Sequence, residues 1–504
     1  MPVRIPSLDQ LGEIALQCGF DLTDAELAAY QHLLGGMVAT CARLDELTEP
    51  VPSVRHPRTP GHRARPEENP LNAWYWRCSI RGAGEGILAG KRVAIKDNVC
   101  VAGVPMMNGS AVLEGYVPEA DATVVTRILD AGGEIVGKAV CEHLCVSGSS
   151  FTSDTGPVPN PHDPERSAGG SSSGSTVLVV TGEVDMAIGG DQAGSIRIPS
   201  AWSGACGLKP TYGLVPYTGA FALELTIDHL GPIAATVRDV ALLLEAIAGD
   251  DGLDPRQRGV RTDRYVAALE RGADGLRVGV LREGFGWPDL SEPDVDEAVR
   301  AAANRLAGAG AAVREVSVPM HRDGVHIWNG IADEGMTTLM FHGNGMGNNW
   351  KGHYGTSMLD AFARGRRARA NDLADSVKLT FLAGRYLQEA YHGRYYAKAQ
   401  NLARVLTTAY DAILDEVDLL LLPTMPTRAR RLPAPGASLE ERAALGAPIG
   451  NTAPFDVTGH PAISVPCARS GGLPVGLMLV GRRWEDATVL RAAHAFEQTG
   501  AYRV

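Results

Sequence analysis

The sequence predicts an α/β fold in which helices cover a β-sheet, with a small α-helical domain in front of it. Apolar residues recur at helical spacing over residues 7–48. From residue 88 onward, short β-branched runs such as KRVAIKDNV alternate with helical patterns such as TVVTRILDAGGEIVGKA. Strand-like segments, VDLLLLPTMP and PVGLMLVG, return near the C-terminus, and this alternation is typical of a sheet covered by helices.

The N-terminal domain is predicted from two adjoining segments. Leu8, Leu11 and Ile14 begin the helical pattern, and residues 49–70 form a connector rich in Pro, Arg and His. We therefore place a domain boundary near residue 70, between residues 1–70 and a main body of residues 71–504. Within the main body, residues 321–416 are mostly helical and rich in aromatic residues and Met, which suggests a cap over a site.

Composition excludes several classes of function. The chain has 504 residues, a net charge of −11 and a pI near 5.7, which disfavour binding to nucleic acids or anionic membranes. Its longest apolar runs, such as LLLLP, are too short to span a bilayer, and no signal-peptide pattern opens the sequence. We expect a cytoplasmic protein that binds no nucleic acid and no membrane.

Eight cysteines are scattered without the framework of a disulfide-rich protein. Cys141 and Cys145 lie at helical spacing with His143 between them, which raises the question of a metal site. No second CxxC or HxxxH motif completes a set of four ligands. Buried thiols and the absence of a metal are therefore the expectation.

Residues 167–176, SAGGSSSGST, have the composition of a flexible linker but match two catalytic templates. A phosphate-binding loop requires Lys where this chain has Ser175. The GxSxG motif centred on Ser172 requires a strand leading into it, and the preceding NPHDPERSAGG resembles a loop. Both templates are therefore weak.

Lys96 and Ser195 suggest a different chemistry. Lys96 ends the apolar strand RVAI, and burial there favours a neutral amine that can act as a base, unless the lysine only caps the strand at the surface. Ser195 follows a Gly-rich turn whose backbone N–H groups can converge on one oxygen, unless the turn only redirects the chain. Asp191 and Arg197 flank this turn and are placed to brace it by pairing.

A nucleophilic serine requires a base. The candidate histidines are His143, His229 and His460, and none occupies an evident triad position. A serine–lysine pair removes the need for histidine, with Ser171 as the proton relay between Lys96 and the nucleophile.

Together, VAIKDN, GGSSSGS and GGDQAGSIRIPSAWSGACGLKPTYG resemble the amidase signature family, as do NTAPFDVTGHPAISVP and GLPVGLMLVG. The resemblance spans about residues 70–504 and is strongest to bacterial amidases that work beside nitrile hydratases. It implies a mixed central sheet with helices on both faces, and a mechanism that needs no cofactor and no metal. Self-association is the natural use of the helical N-terminal domain, so we expect a homodimer formed through it.

The resemblance also implies a role for each site residue. Ser195 is the nucleophile, Ser171 follows a cis peptide bond and shuttles the proton, and Lys96 is the ultimate base. The implied oxyanion hole comprises the backbone N–H groups of Gln192, Ala193, Gly194 and Ser195. Members of the family usually have Gly where this chain has Ala193, which puts the range of substrates in question. The implied pocket residues, each of which also fits plain core packing, are Val146, Ile227, Trp328 and Ile449.

The expected function is hydrolysis of a small-molecule carboxylic amide to an acid and ammonia or an amine. The same site chemistry also suits carbamates, anilides, hydrazides or esters. Two other classes stay open: a glutaminase subunit of a tRNA-dependent amidotransferase, and a non-catalytic binding protein on the same scaffold.

Overall fold

The computed structural model describes residues 3–500, which form two compact units. The first unit ends at Pro52 and the second begins at Ser53, so the division falls earlier in the chain than residue 70. The connector groups with the larger unit because polar contacts hold it there. Arg55 donates to Asp130 at 2.7 Å, Arg58 pairs with the buried Asp121, and Trp76 donates to the carbonyl of Pro60.

The first unit contains three short helices: α1 (Leu8–Gln17), α2 (Asp24–Leu33) and α3 (Gly35–Glu46). Ser7 and Thr23 close capping boxes with Gln10 and Glu26, so each of the first two helices has a defined start. Ala15 is the only buried residue among the described residues of the three helices.

The second unit is built on a mixed sheet of twelve strands, and a two-stranded ribbon lies apart from it. The strands are β1 (His62–Arg63), β2 (Trp74–Arg81), β3 (Arg92–Lys96), β4 (Glu134–Ala139), β5 (Pro159–Asn160), β6 (Asp163–Ser167), β7 (Met186–Asp191), β8 (Cys206–Lys209), β9 (His229–Ala234), β10 (Arg277–Leu281), β11 (Ala312–Val316), β12 (Leu419–Pro423), β13 (Ala462–Ser470) and β14 (Leu473–Gly481). The order in the large sheet is β1-β2-β4-β3-β7-β9-β8-β13-β14-β12-β10-β11, and β5 pairs with β6. Strand β3 runs parallel to β4 and β7, whereas β7 and β9 are antiparallel.

Thirteen α-helices follow in chain order within residues 53–500. They are α4 (Thr123–Asp130), α5 (Ser173–Val180), α6 (Arg197–Ser203), α7 (Val237–Ile247), α8 (Tyr265–Ala268), α9 (Pro293–Gly308), α10 (Gly324–Met336), α11 (Thr356–Ala368), α12 (Asp375–Tyr391), α13 (Arg394–Glu416), α14 (Leu439–Ala444), α15 (Ala453–Thr458) and α16 (Asp486–Gln498). The predicted helical region at 321–416 comprises α10 to α13, and a π-helical turn extends α10 to His342.

Alternation along the strands assigns their side chains to two cores. Val93 and Ile95 of β3 pack in the large cluster that includes Ile128 of α4, whereas Ala94 packs in a second cluster with Val177 of α5. Lys96 lies two residues after Ala94 in β3, so its side chain points to the same face of the sheet, toward α5. Helices cover both faces, as predicted, and the candidate site lies under α5.

No helix among residues 3–500 is long and apolar enough to cross a membrane.

Candidate active site

Lys96, the last residue of β3, has no exposed surface. Its Nζ donates to Ser171 Oγ at 2.8 Å and to the carbonyl oxygen of Gly190 at 3.1 Å. The alternative of a surface lysine that caps the strand is therefore wrong. The side chain joins two segments distant in sequence: the Ser/Gly tract and the end of β7.

The Ser/Gly tract at 167–176 is buried along its whole length, so it is not a linker. It begins at the end of β6, and its last four residues form the first turn of α5. The peptide bond between Gly170 and Ser171 is cis. An added Cβ at Gly174 would lie 2.3 Å from the carbonyl oxygen of Ala73, so this glycine is required for close packing.

Ser172 does not have the surroundings of a nucleophile elbow. Its Oγ donates to the carbonyl of Gly190 at 3.1 Å and accepts from the Gly190 N–H at 3.2 Å. Both bonds fix the tract to the end of β7, and the side chain has no exposed surface. Ser172 is thus a structural contact between two segments of the site.

Ser195 lies in the turn between β7 and α6 and is 5% exposed, unlike the fully buried Ser171. Its carbonyl oxygen accepts from the N–H of Ser172 at 3.2 Å, so the two serine segments adjoin. Gly194 has φ +126°, and a Cβ there would lie 2.4 Å from Thr452 Oγ1. The turn therefore requires glycine at this position, next to the serine.

The carboxylate of Asp191 organises this turn. It accepts from the backbone N–H groups of Gly194 at 2.5 Å, Ile196 at 3.0 Å and Arg197 at 3.3 Å. One expected oxyanion donor is therefore already engaged, because the Gly194 N–H is directed at the stronger, charged acceptor. Among residues 3–500, the N–H groups of Gln192, Ala193 and Ser195 have no acceptor.

The expected pairing of Asp191 with Arg197 is present and extends to a second carboxyl. Arg197 Nε and Nη2 each donate to Asp191 at 3.0 Å, and Nη2 also donates to Asp456 at 2.7 Å. Burial opposes ionisation of Asp191, but the Arg197 charge and hydrogen bonds outweigh it and hold its pKa well below the usual range. Burial and the neighbouring Asp191 charge raise the pKa of Asp456 well above its usual range.

The pocket residues implied by the resemblance occupy different surroundings. Trp328 of α10 donates from Nε1 to the carbonyl of Gln192 at 2.6 Å, so it contacts the turn before Ser195 directly. Ile449 accepts through its carbonyl from the N–H of Thr452, whose hydroxyl donates to the carbonyl of Ala193. Val146 is half-buried after the turn His143–Cys145, and Ile227 is buried with its carbonyl bonded to a histidine.

None of the three candidate histidines hydrogen-bonds to a serine of the site in the described chain. His143 lies 3.4 Å from Asp154, His229 contacts the carbonyl of Ile227 at 2.8 Å, and His460 contacts Thr458. Burial lowers the pKa of His229 and of His460. Nor does any group of three or more His, Cys, Asp or Glu side chains within residues 3–500 have the arrangement to hold a metal ion.

One neighbour of the lysine was missed by sequence reasoning. The thiol of Cys145 lies against Lys96 and Ser171, although the sequence presented it only as a buried thiol paired with Cys141. The signal in the sequence was the spacing of the two cysteines, but nothing in that spacing indicates contact with a lysine 49 positions earlier in the chain.

Comparison with known proteins assigns the family. The model of the family described as Amidase matches residues 60–490. The chain is 47% identical over 509 residues to an enantioselective amidase of Rhodococcus rhodochrous, covering 99% of this chain and 97% of that protein. It is 39% identical over 421 residues to a glutamyl-tRNA(Gln) amidotransferase subunit of Methanosarcina acetivorans, covering 83% and 86% of the two chains.

A solved structure agrees with these relatives. The native peptide amidase of Stenotrophomonas maltophilia matches with a TM-score of 0.67 at 29% identity, covering 83% of this chain and 84% of that one. The fold class and the resemblance inferred from sequence are thereby confirmed. The chain therefore belongs to the amidase family and is a hydrolase that acts on amide C–N bonds.

Proposed function

We propose that the enzyme hydrolyses carboxylic amides through an acyl-enzyme on Ser195, with Ser171 and Lys96 as the proton relay. The observation that carries this proposal is the 2.8 Å contact between Lys96 Nζ and Ser171 Oγ, two side chains with no exposed surface. A buried lysine beside a serine hydroxyl is suited to exchange a proton with it. The less buried Ser195, on the adjoining turn, is the serine that substrate reaches.

The reaction follows from these positions. Ser195 attacks the amide carbonyl while its proton passes through Ser171 to Lys96. The backbone N–H groups of Gln192, Ala193 and Ser195 supply donors for the oxyanion, with Gly194 N–H retained by Asp191. The relay then returns the proton to the leaving amine, and water hydrolyses the acyl-enzyme by the same path.

The choice of amidase over an amidotransferase component rests on similarity and coverage. The chain aligns over 99% of its length with an enantioselective amidase at 47% identity, against 83% of its length at 39% with the amidotransferase relative. We infer that it acts alone on small-molecule amides, without a tRNA-dependent partner assembly. The Lys96–Ser171 contact argues against a non-catalytic binding protein.

The test is product formation measured by mass spectrometry. Purified enzyme is incubated with propionamide, benzamide, an anilide and an aryl carbamate, beside Ser195→Ala and Ser172→Ala. Hydroxylamine is added in a second series, because it captures an acyl-enzyme as a hydroxamate. Acid and hydroxamate formed by wild type and Ser172→Ala but not by Ser195→Ala support the proposal. Turnover by Ser195→Ala overturns it, and preference for the anilide or carbamate changes the substrate but keeps the mechanism.

We also propose that the enzyme is a homodimer joined through α1, α2 and α3. Within these helices Leu16 is 78% exposed, Leu33 71% and Leu44 61%, and a unit of this size rarely closes a core by itself. A second copy of the same helices would cover these side chains. Light scattering after size exclusion measures the outcome, and a monomer at micromolar concentration contradicts it.

A cytoplasmic location completes the proposal. All eight cysteines are free thiols, which fits a reducing compartment.

A further inference from the structure

The three backbone carbonyls that precede Ser195 each accept a hydrogen bond from a different part of the chain. The bonds run from Trp328 Nε1 to Gln192 at 2.6 Å, from Thr452 Oγ1 to Ala193 at 2.5 Å, and from Ile198 N to Gly194 at 2.6 Å. The donors belong to α10, to the residue before α15 and to the first turn of α6. The orientation of each peptide in the turn is therefore set by a group outside it.

The bond from Trp328 also sets the direction of an N–H group. The peptide between Gln192 and Ala193 is trans, since the cis bond recorded in residues 3–500 is that between Gly170 and Ser171. In a planar trans peptide the C=O and N–H groups point in opposite directions. Because the Gln192 carbonyl points at the indole, the Ala193 N–H points away from it.

This peptide depends on Trp328 more than the next peptide depends on Thr452. The peptide between Ala193 and Gly194 is held at both ends, because its N–H donates to Asp191 at 2.5 Å. The peptide between Gln192 and Ala193 is held at its carbonyl, and its N–H has no acceptor among residues 3–500. Loss of the indole N–H would remove the hydrogen bond that orients it.

The side chain of Gln192 is anchored separately from its backbone. Its Nε2 donates to the hydroxyl of Tyr217 at 3.1 Å, and that hydroxyl donates to the carbonyl of Phe221 at 3.2 Å. Both Gln192 and Tyr217 are buried. Loss of the bond from Trp328 should therefore release the orientation of one peptide while Gln192 stays in place.

We propose that Trp328 is a positioning residue of the oxyanion hole, whose indole N–H holds the Gln192–Ala193 peptide with the Ala193 N–H directed at the substrate oxygen. The inference rests on the proposed acyl-enzyme and on the Ala193 N–H as one of its oxyanion donors. A donor that is oriented in advance stabilises the transition state without the cost of turning to meet it. Trp328 then acts on the reaction through the backbone, in addition to the contact with the acyl group that the family resemblance implies.

The experiment replaces Trp328 with Phe, which keeps an aromatic ring and removes the N–H. Trp76→Phe is the matched control, because Trp76 is also half-buried and donates from Nε1 to a backbone carbonyl, that of Pro60, at 2.8 Å. Both kcat and KM are measured for propionamide and benzamide. We expect Trp328→Phe to lower kcat at least about tenfold, by a similar factor for both amides, and to change KM by less than about threefold. Trp76→Phe should keep the wild-type kcat.

A second measurement separates the orientation of the peptide from the shape of the pocket. Benzaldehyde can add to the enzyme: Ser195 Oγ bonds to the aldehyde carbon, the carbonyl oxygen becomes an oxyanion, and the hydroxyl proton passes to the relay. Benzyl alcohol carries the same ring but has no carbonyl to attack. In Trp328→Phe the inhibition constant of benzaldehyde should rise by about the factor lost from kcat, and that of benzyl alcohol by less than about threefold. Urea unfolding checks that both variants are folded.

The results separate this inference from the proposed function. A smaller loss of kcat in Trp328→Phe overturns the inference, as does a loss that falls on KM or differs more than about threefold between the two amides. Equal weakening of benzaldehyde and benzyl alcohol also overturns it, because Trp328 would then only shape the pocket. Turnover by Ser195→Ala refutes the proposed function itself. If Ser195→Ala is inactive and Trp328→Phe keeps the wild-type kcat, the acyl-enzyme stands and the positioning role alone is refuted.

Discussion

The same substitution on the two carboxyls that contact Arg197 should have very different effects. Asp191 accepts five hydrogen bonds: from the N–H groups of Gly194, Ile196 and Arg197, and from Arg197 Nε and Nη2. Asp456 accepts one hydrogen bond from Arg197, at 2.7 Å, and its pKa is raised. The surroundings therefore favour the charged form of Asp191 and disfavour that of Asp456.

The structure sets the size of the effect. In Asp191→Asn an NH₂ group replaces one carboxylate oxygen, and either oxygen accepts at least two of the five bonds. Each bond with a charged partner contributes about 1.5–3 kcal/mol, so losing two of them should lower the free energy of unfolding by about 3–6 kcal/mol. Asp456→Asn removes a charge that burial disfavours and keeps the shape of the side chain and an oxygen that can accept from Arg197, so we expect the free energy of unfolding to change by less than about 1 kcal/mol.

The assay is urea unfolding of both variants beside wild type, with kcat/KM for one amide at neutral pH. Asp191→Asn should also lose activity, because the bonds that orient the turn before Ser195 are those removed. The lowered pKa means that Asp191 stabilises the fold above its unfolded-state pKa and loses that contribution as pH falls through the folded value. Equal destabilisation by the two variants, or a loss below about 1 kcal/mol for Asp191→Asn, would refute the reasoning.

Three further predictions concern neighbouring residues. Ser195→Ala should abolish turnover, whereas Ser172→Ala should keep much of it and lower the free energy of unfolding by about 1–3 kcal/mol, because the Gly190 N–H loses Ser172 Oγ as its acceptor. The reverse ranking of the two variants in kcat/KM and in urea unfolding would restore Ser172 as nucleophile. Gly194→Ala should lower the free energy of unfolding by at least about 1–3 kcal/mol, because φ is +126° and an added Cβ would lie 2.4 Å from Thr452 Oγ1. Ala193→Gly, at a residue without positive φ, should change the free energy of unfolding by less than about 1 kcal/mol. Equal unfolding midpoints for the two variants would contradict this. Leu33→Glu should halve the mass by light scattering without lowering kcat/KM per protomer, and an unchanged dimer would place the interface elsewhere.

Much of the fold can be predicted from the sequence, because the local patterns agree with the tertiary structure. In RVAIK, successive side chains pack on opposite faces of a strand that is covered on both sides, and this alternation gives the face on which Lys96 lies. The Gly-rich segment before Ser195 was predicted to turn, and it does so with Gly194 in the left-handed region.

The features that the sequence does not predict are contacts between residues far apart in the chain and hydrogen bonds that depend on local geometry. Residues 53–70 resemble a free connector, but the acidic partners that hold Arg55 and Arg58 lie at Asp130 and Asp121. The family resemblance implies that the Gly194 N–H is an oxyanion donor, but its bond to Asp191 is visible only in the folded turn. Cys145 lies at helical spacing from Cys141 in the sequence, whereas its backbone is left-handed and its side chain lies near Lys96.

The buried Ser/Gly tract has a consequence for how motion is distributed in this molecule. Its composition is that of the most mobile polypeptides, yet all ten residues of 167–176 are enclosed by protein. The small side chains here allow backbones to approach closely, so the tract is densely packed and does not move freely. Amide hydrogens in this tract should exchange with solvent among the slowest in the chain. A filter that discards low-complexity sequence would remove the segment that contains Ser171, the proposed proton relay.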